Sequence, residues 1–237
     1  MRGPVLLSLL LALALASRAE AGVVTVSPIR DNTLFEDAQG DTSNGAGPAI
    51  YAGRNSQDLT RRALIAFDLV GVVPAGAAID SVVLTLEVSS APDLVPRSFT
   101  LHRVFADWGE GSSSTAGGSG APATASDATW LHTFYPYRFW LSPGGDFAPA
   151  ASAEQQVVDV GSYSWTGPAM TADVGRWLNH SETNFGWLVR GEETGPRTVR
   201  RFDSRESAGR PPTLSIHYSY PVATRPARWG ALKALYR

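Results

Sequence analysis

The stretch Ser81–Val88, SVVLTLEV, decides the fold class. Val82, Leu84, Leu86 and Val88 fall on one face of an extended chain; Ser81, Thr85 and Glu87 fall on the other. Successive strand side chains point to opposite faces, so this alternation predicts a half-buried strand of an antiparallel sheet. The same period runs through RALIAFDL, where Ala63, Ile65, Phe67 and Leu69 alternate with Arg62, Leu64, Ala66 and Asp68. It returns in TLSIHY, where Leu214, Ile216 and Tyr218 alternate with Ser215 and His217. Weaker runs lie near 23–28, 48–53, 98–105, 155–160, 185–191 and 197–203. Pro74-Ala75-Gly76, Pro92-Asp93, Pro143-Gly144-Gly145, Gly195-Pro196 and Pro211-Pro212 punctuate them as turns. Such a series predicts an all-β protein, an antiparallel jelly-roll β-sandwich.

One helix is expected to pack against it. In MTADVGRWLNHS, Thr171 is a good N-cap, Asp173 falls in the first turn, and Val174, Trp177 and Leu178 share a stripe. Trp108, Trp165, Trp177 and Trp187 sit on strand or helix patterns and read as core. The stretch 109–128 is rich in Gly, Ser, Ala and Thr and predicts a long loop. Loops of that length tend to be functional or mobile.

The ends read differently. Arg2, the apolar run Val5–Ala16 and the small-x-small site Ala19-Glu20-Ala21 predict a secretory signal peptide over 1–21, cleaved after Ala21. The run is too short for a membrane anchor, and no other stretch is long and apolar enough for a transmembrane segment. The expected product is secreted or at the cell surface, with one sandwich domain over 22–220. Residues 221–237 form a linker and a short basic, aromatic tail carrying Trp229, Leu232, Leu235, Arg228, Lys233 and Arg237. This tail is a candidate contact for envelope or secretion machinery.

Composition closes several routes. With no cysteine, the chain has no disulfide, no thiolate zinc site and no cysteine nucleophile. A formal net charge of -2 implies no broad basic surface for nucleic acid. Lys233 is the only lysine among twenty basic residues, so planar bidentate donors are plentiful wherever a carboxylate needs a partner.

The ordered series DNTLFED, SNGAG, RRALIAFDL, VPAGAAIDSVVLTL, LHRVFADWGEG, DATWLH, PGGDF, DVGRWL, NFGWLVRGEE and FDSRE spans roughly 23–220. It resembles the DNRLRE-domain family of secreted bacterial proteins, which is similar to a family of carbohydrate-binding modules associated with alginate and related polysaccharides. The resemblance implies a jelly-roll sandwich, an extracellular location and a non-catalytic role. It also implies that FDSRE, with Phe202, Asp203, Arg205 and Glu206, is a framework motif.

Enzyme chemistry finds little footing. There is no G-x-S-x-G elbow, H-E-x-x-H, P-loop or dinucleotide fingerprint. His102, His132, His180 and His217 are widely spaced. The acid pairs Asp107/Glu110 and Asp203/Glu206 lie beside arginines and read as structural ion pairs rather than glycosidase acids. For sugar binding, the richest aromatic cluster is TWLHTFYPYRFW, which offers Trp130, His132, Tyr135, Tyr137, Arg138 and Trp140. Aromatic faces suit pyranose rings, and an arginine suits a uronic-acid carboxylate. The competing reading is core beneath the long loop. For calcium, Asp31, Glu36, Asp37 and Asp41 offer oxygen ligands, with solvated turns as the bland alternative. Three functions remain: a polysaccharide-binding module, with acidic, uronic-acid glycans as one candidate ligand class; a structural or adhesive surface protein; and a polysaccharide-cleaving enzyme. For VRRFDSRE the expectation is a rivet, with Arg205 or Glu206 tying the strand end to a neighbouring loop.

Overall fold

The computed structural model describes residues 19–221. The run expected to be a signal peptide, up to Arg18, and the tail beyond Pro221 lie outside the described residues. The strands, in order, are β1 (Ala19–Val26), β2 (Arg30–Phe35), β3 (Thr42–Ser43), β4 (Ala49–Arg54), β5 (Thr60–Ala66), β6 (Ala78–Ser90) and β7 (Arg97–Arg103). There follow β8 (Ala121–Pro122), β9 (His132–Phe134), β10 (Arg138–Phe139), β11 (Ala153–Val157) and β12 (Gly161–Thr166). Helix α1 (Pro168–Asn179) and a 3-10 turn (Ser181–Thr183) precede β13 (Trp187–Arg190), β14 (Arg200–Asp203) and β15 (Thr213–Pro221). The expected cleavage after Ala21 falls inside β1.

The Ser81–Val88 alternation holds residue by residue: Val82, Leu84, Leu86 and Val88 are buried and their neighbours are not. Within β6, Leu84 pairs with Leu214 of β15 on one side and with Trp165 of β12 on the other. All strand pairings are antiparallel, and the main sheet runs β1-β15-β6-β14-β4-β5-β13-β7-β11, with β12 on β6 and β2 on β5. Strand β4 pairs with both β14 and β5, so the sheet curls over at this strand. The two halves close face to face on a core that includes Ile50, Ile65, Leu84, Phe99, Trp165, Trp187 and Phe202. The fold is the expected all-β sandwich with one helix against it.

The helix starts earlier than expected. Pro168 occupies its first turn behind Gly167, and Thr171 lies inside it, its hydroxyl donating to the Gly167 carbonyl at 3.2 Å. Proline suits this position because its missing N–H would go unbonded there anyway. Asp173 is buried rather than at the helix mouth. It accepts from Ser152 Oγ at 2.5 Å and Trp187 Nε1 at 3.1 Å, and Arg103 lies at 3.2 Å. Met170, Val174 and Trp177 face the core beside it.

Strand β5 departs from the half-buried pattern. Ala63 and Ile65 face the sandwich core, while Leu64 and Ala66 are equally buried in a second cluster with Trp108, Ala128, Trp140 and Leu188. The segment after β7 covers the outer face of this sheet half. The expected loop over 109–128 is irregular apart from the two-residue β8; Ser113, Asp127 and Ala128 pack it onto the sheet, while 116–119 stay exposed. Its polar hub is Asn32, fully buried in β2. Asn32 Nδ2 donates to the carbonyls of Glu110 at 3.0 Å and Ala128 at 3.4 Å. Its Oδ1 accepts from Thr33 N at 2.7 Å, Ser43 Oγ at 3.0 Å and Asn44 N at 3.2 Å. Asn44 in turn bonds Ala49 O at 3.0 Å and Thr115 N at 2.7 Å. Thus DNTLFED and SNGAG hold the covering layer on the sheet.

Candidate functional site

The aromatic stretch splits between core and solvent. Trp140 is 6% exposed, and its indole N–H donates to Thr129 O at 2.9 Å. His132 is 5% exposed, with Nδ1 at 3.0 Å from Gly40 O. Both serve the packed layer and present no face to a ligand. Trp130 is half-buried, with the Arg62 guanidinium 5.0 Å from its ring centre. Tyr137, Arg138 and Phe139 are exposed on the β9–β10 hairpin, whose turn contains a cis Tyr135–Pro136 bond. A shallow hollow of about 340 Å³ lies at Phe134, Tyr135, Tyr137 and Arg138.

The four acids expected as one metal cluster are not brought together. Glu36 accepts from Thr60 N at 2.6 Å, Asp37 accepts from Gly40 N, and Asp41 is exposed. Asp31 instead meets Glu110 and Glu206, one carboxylate oxygen of each lying within 4.8 Å of the others.

Arg205 binds that cluster together. Its Nε and NH2 donate to Glu110 Oε1 and Oε2, each at 2.8 Å, and Nε lies 2.8 Å from Glu206 Oε1. Its backbone N–H donates to Asp31 Oδ2 at 2.7 Å. The expected rivet is in place: Arg205 ties the end of β14 to the 110 loop. Strict strand alternation would set Arg201, Asp203 and Arg205 on one face, with Asp203 between two arginines, and this is not what the chain does. The chain leaves the strand at Ser204, whose hydroxyl donates to Gly47 O at 2.7 Å, so strand alternation no longer governs Arg205. Asp203 faces Arg201 at 3.6 Å and accepts from Arg210 N at 3.0 Å.

The most distinctive surface feature was not singled out by the aromatic or acidic patterns. Across the outer face, Phe35 of β2 pairs with Arg61 of β5, Arg61 with Gly53 of β4, and Tyr51 of β4 with Arg201 of β14. These pairings set a row of aromatic and cationic side chains side by side. Gly53, opposite Arg61, carries no side chain; its φ of 112° suits glycine. Above the row lies a groove of about 620 Å³, bordered by Tyr51, Arg61, Gln57 and Arg197. A smaller hollow of about 290 Å³ shares its Tyr51 wall and reaches Arg201. No acidic side chain lines either hollow.

Arg61 is 5% exposed. Its ring neighbour is Phe35, 4.9 Å away, and NH1 donates to Thr60 O at 2.8 Å. Nε has no hydrogen-bond partner, and among the described residues no carboxylate pairs with Arg61 within 4.0 Å. Burial lowers its pKa from the usual arginine value, opposed by the more distant charges of Glu36 and Asp37. The contrast with Arg200 is direct: Arg200 is fully buried but lies 2.9 Å from Asp93 Oδ1. Arg197 reaches the groove from a left-handed turn, φ 59°, fixed by its N–H donating to Asn55 O at 3.1 Å. The sequence signal for this groove is the doubled arginine on a strand. In RRALIAF and VRRFD adjacent arginines must point to opposite faces, so Arg62 and Arg200 turn to Glu193 and Asp93 while Arg61 lines the groove and Arg201, which keeps Asp203 at 3.6 Å, lines the smaller hollow.

The fold and groove define an all-β sandwich with a cationic, tyrosine-floored groove. No family model matches the chain, and no curated protein matches it.

Proposed function

We propose that the protein is a non-catalytic, exported module that binds acidic polysaccharide, of uronic-acid type, in the Tyr51–Arg61–Arg197–Arg201 groove. One observation carries the reading: Arg61 is a nearly buried guanidinium without a carboxylate, at the edge of a groove lined by cations and no anions. Burying a charge without its partner is costly, so a fold that keeps one at a groove is poised for an external anion. A guanidinium takes a carboxylate through two parallel bonds, and Gln57 supplies an amide for sugar oxygens; the Tyr51 hydroxyl, which donates to Ala116 O at 3.3 Å, keeps its oxygen as an acceptor. The groove falls within the size range of ligand sites, about 300–1,000 Å³. The resemblance to secreted polysaccharide-associated modules supports the same ligand class.

Cleavage is the weaker reading. Glu110 spends both carboxylate oxygens on Arg205 and also accepts the Asp31 N–H at 2.8 Å, so it is no free base or nucleophile. Adhesion without a glycan finds its support in exposed apolar side chains such as Tyr137, Phe139 and Leu141, at 87%, 62% and 95%.

The test is a glycan array holding polyuronates, neutral polymers and sulfated polymers, read at low and high salt. Binding confined to carboxylated chains and weakened by salt is expected. Binding to neutral chains only, or to none, rejects the reading.

A further inference from the structure

We propose that Asp31, Glu110 and Glu206 form a site for one Ca²⁺ ion, separate from the glycan groove. The three residues come from β2, the loop after β7 and the turn after β14, segments far apart in the chain. The Arg205 guanidinium bonds Glu110 and Glu206, while Asp31 takes only its backbone N–H, so the three carboxylates when ionised carry two charges more than this one cation balances. Asp31 is fully buried, and its Oδ1 has no hydrogen-bond partner; Glu206 Oε2 is likewise buried and unpartnered. Orphaned carboxylate oxygens of this kind are rare in folded proteins. A cation between them satisfies both oxygens and both charges at once.

The donors suit calcium. Ca²⁺ takes several carboxylate oxygens in a flexible shell, whereas Mg²⁺ demands a tight octahedron and keeps most of its waters. The three oxygens here lie within 4.8 Å of one another, close enough to share one ion. Water can complete the shell, because Glu110 and Glu206 side chains remain 17% and 22% exposed. An ion here would cross-link three segments of a chain that has no cysteine.

Melting and metal counting on the full chain test the site. Excess Ca²⁺ is expected to raise the midpoint by roughly 5–10 °C at a hundredfold excess over Kd. Mg²⁺ should do less, and dialysed protein should retain one Ca²⁺ per chain. Glu206→Gln, a partly exposed position, should fold and lose the shift and the bound ion. Asp31→Asn should do the same. A wild-type midpoint unmoved by millimolar Ca²⁺, with no ion retained, overturns the proposal and leaves the carboxyls sharing protons. A shift that survives in both variants also overturns it, because the ion then sits elsewhere. Neither outcome bears on glycan binding at Arg61.

Discussion

Arg205 and Glu110, 95 residues apart in sequence, meet through two parallel hydrogen bonds of 2.8 Å. This pair joins the end of β14 to the layer that covers the outer face of the sheet. Removing the guanidinium leaves three carboxylates facing one another. Arg205→Ala should therefore cost about 2 kcal/mol, a figure held down by the arginine's 39% exposure. Urea denaturation measures it; an unchanged midpoint would show that the contact is incidental.

Asn32 should matter more. Its amide serves five hydrogen bonds in a fully buried position. Asn32→Ala strands several buried groups, each worth about 1–3 kcal/mol. A loss of at least about 3 kcal/mol is expected, with proteolysis beginning in the segment 109–128. Uniform resistance to protease would argue that this layer does not depend on Asn32.

Acidity should act with an unusual sign. Burial pushes the Asp31 carboxyl well above the ordinary carboxylate range and raises Glu206 as well. A group whose folded pKa is raised binds protons more readily in the folded state, so stability rises as pH falls from that pKa toward the unfolded values near 4. Below that, depressed groups reverse the trend. Asp93, held down to about 2 chiefly by its bond to Arg97, gives up its contribution between about pH 4 and 2. His102, whose pKa burial lowers, works the other way and costs stability as it charges on acidification. In chelator, the wild-type midpoint should therefore rise relative to Asp31→Asn on mild acidification, and fall below about pH 4. A wild type that tracks Asp31→Asn at every pH would contradict the placement of Asp31.

The exposed hairpin should prove dispensable for glycan. Tyr137→Ala combined with Phe139→Ser should leave polyuronate affinity within twofold, because these residues lie outside the arginine groove. Titration calorimetry decides, and a tenfold loss would move the site to the hairpin.

Strand alternation made the sandwich legible, since Val82, Leu84, Leu86 and Val88 could bury only one face. Strands β2 and β12 were not anticipated. DNTLFED carries polar residues that are buried because they bond, and GSYSWT presents only Trp165 to full burial. The same limit applied to the site. The aromatic stretch looked like a ligand face, yet Trp140 and His132 are consumed by the covering layer. Which acids meet depends on loop closure, so Asp31 found Glu110 and Glu206 rather than its sequence neighbours. Arg61 was legible only as half of a doubled arginine; that it lacks a carboxylate emerges from the three-dimensional arrangement.

The central claim rests on Arg61, and Arg61→Met tests it most directly. Methionine keeps an apolar stem against Phe35 and removes the unpaired charge. Calorimetric titration with a polyuronate should show at least a tenfold loss of affinity, about 1.4 kcal/mol, while the melting midpoint stays level or rises by about 2–4 °C. Unchanged affinity with an intact fold would contradict the assignment of this groove.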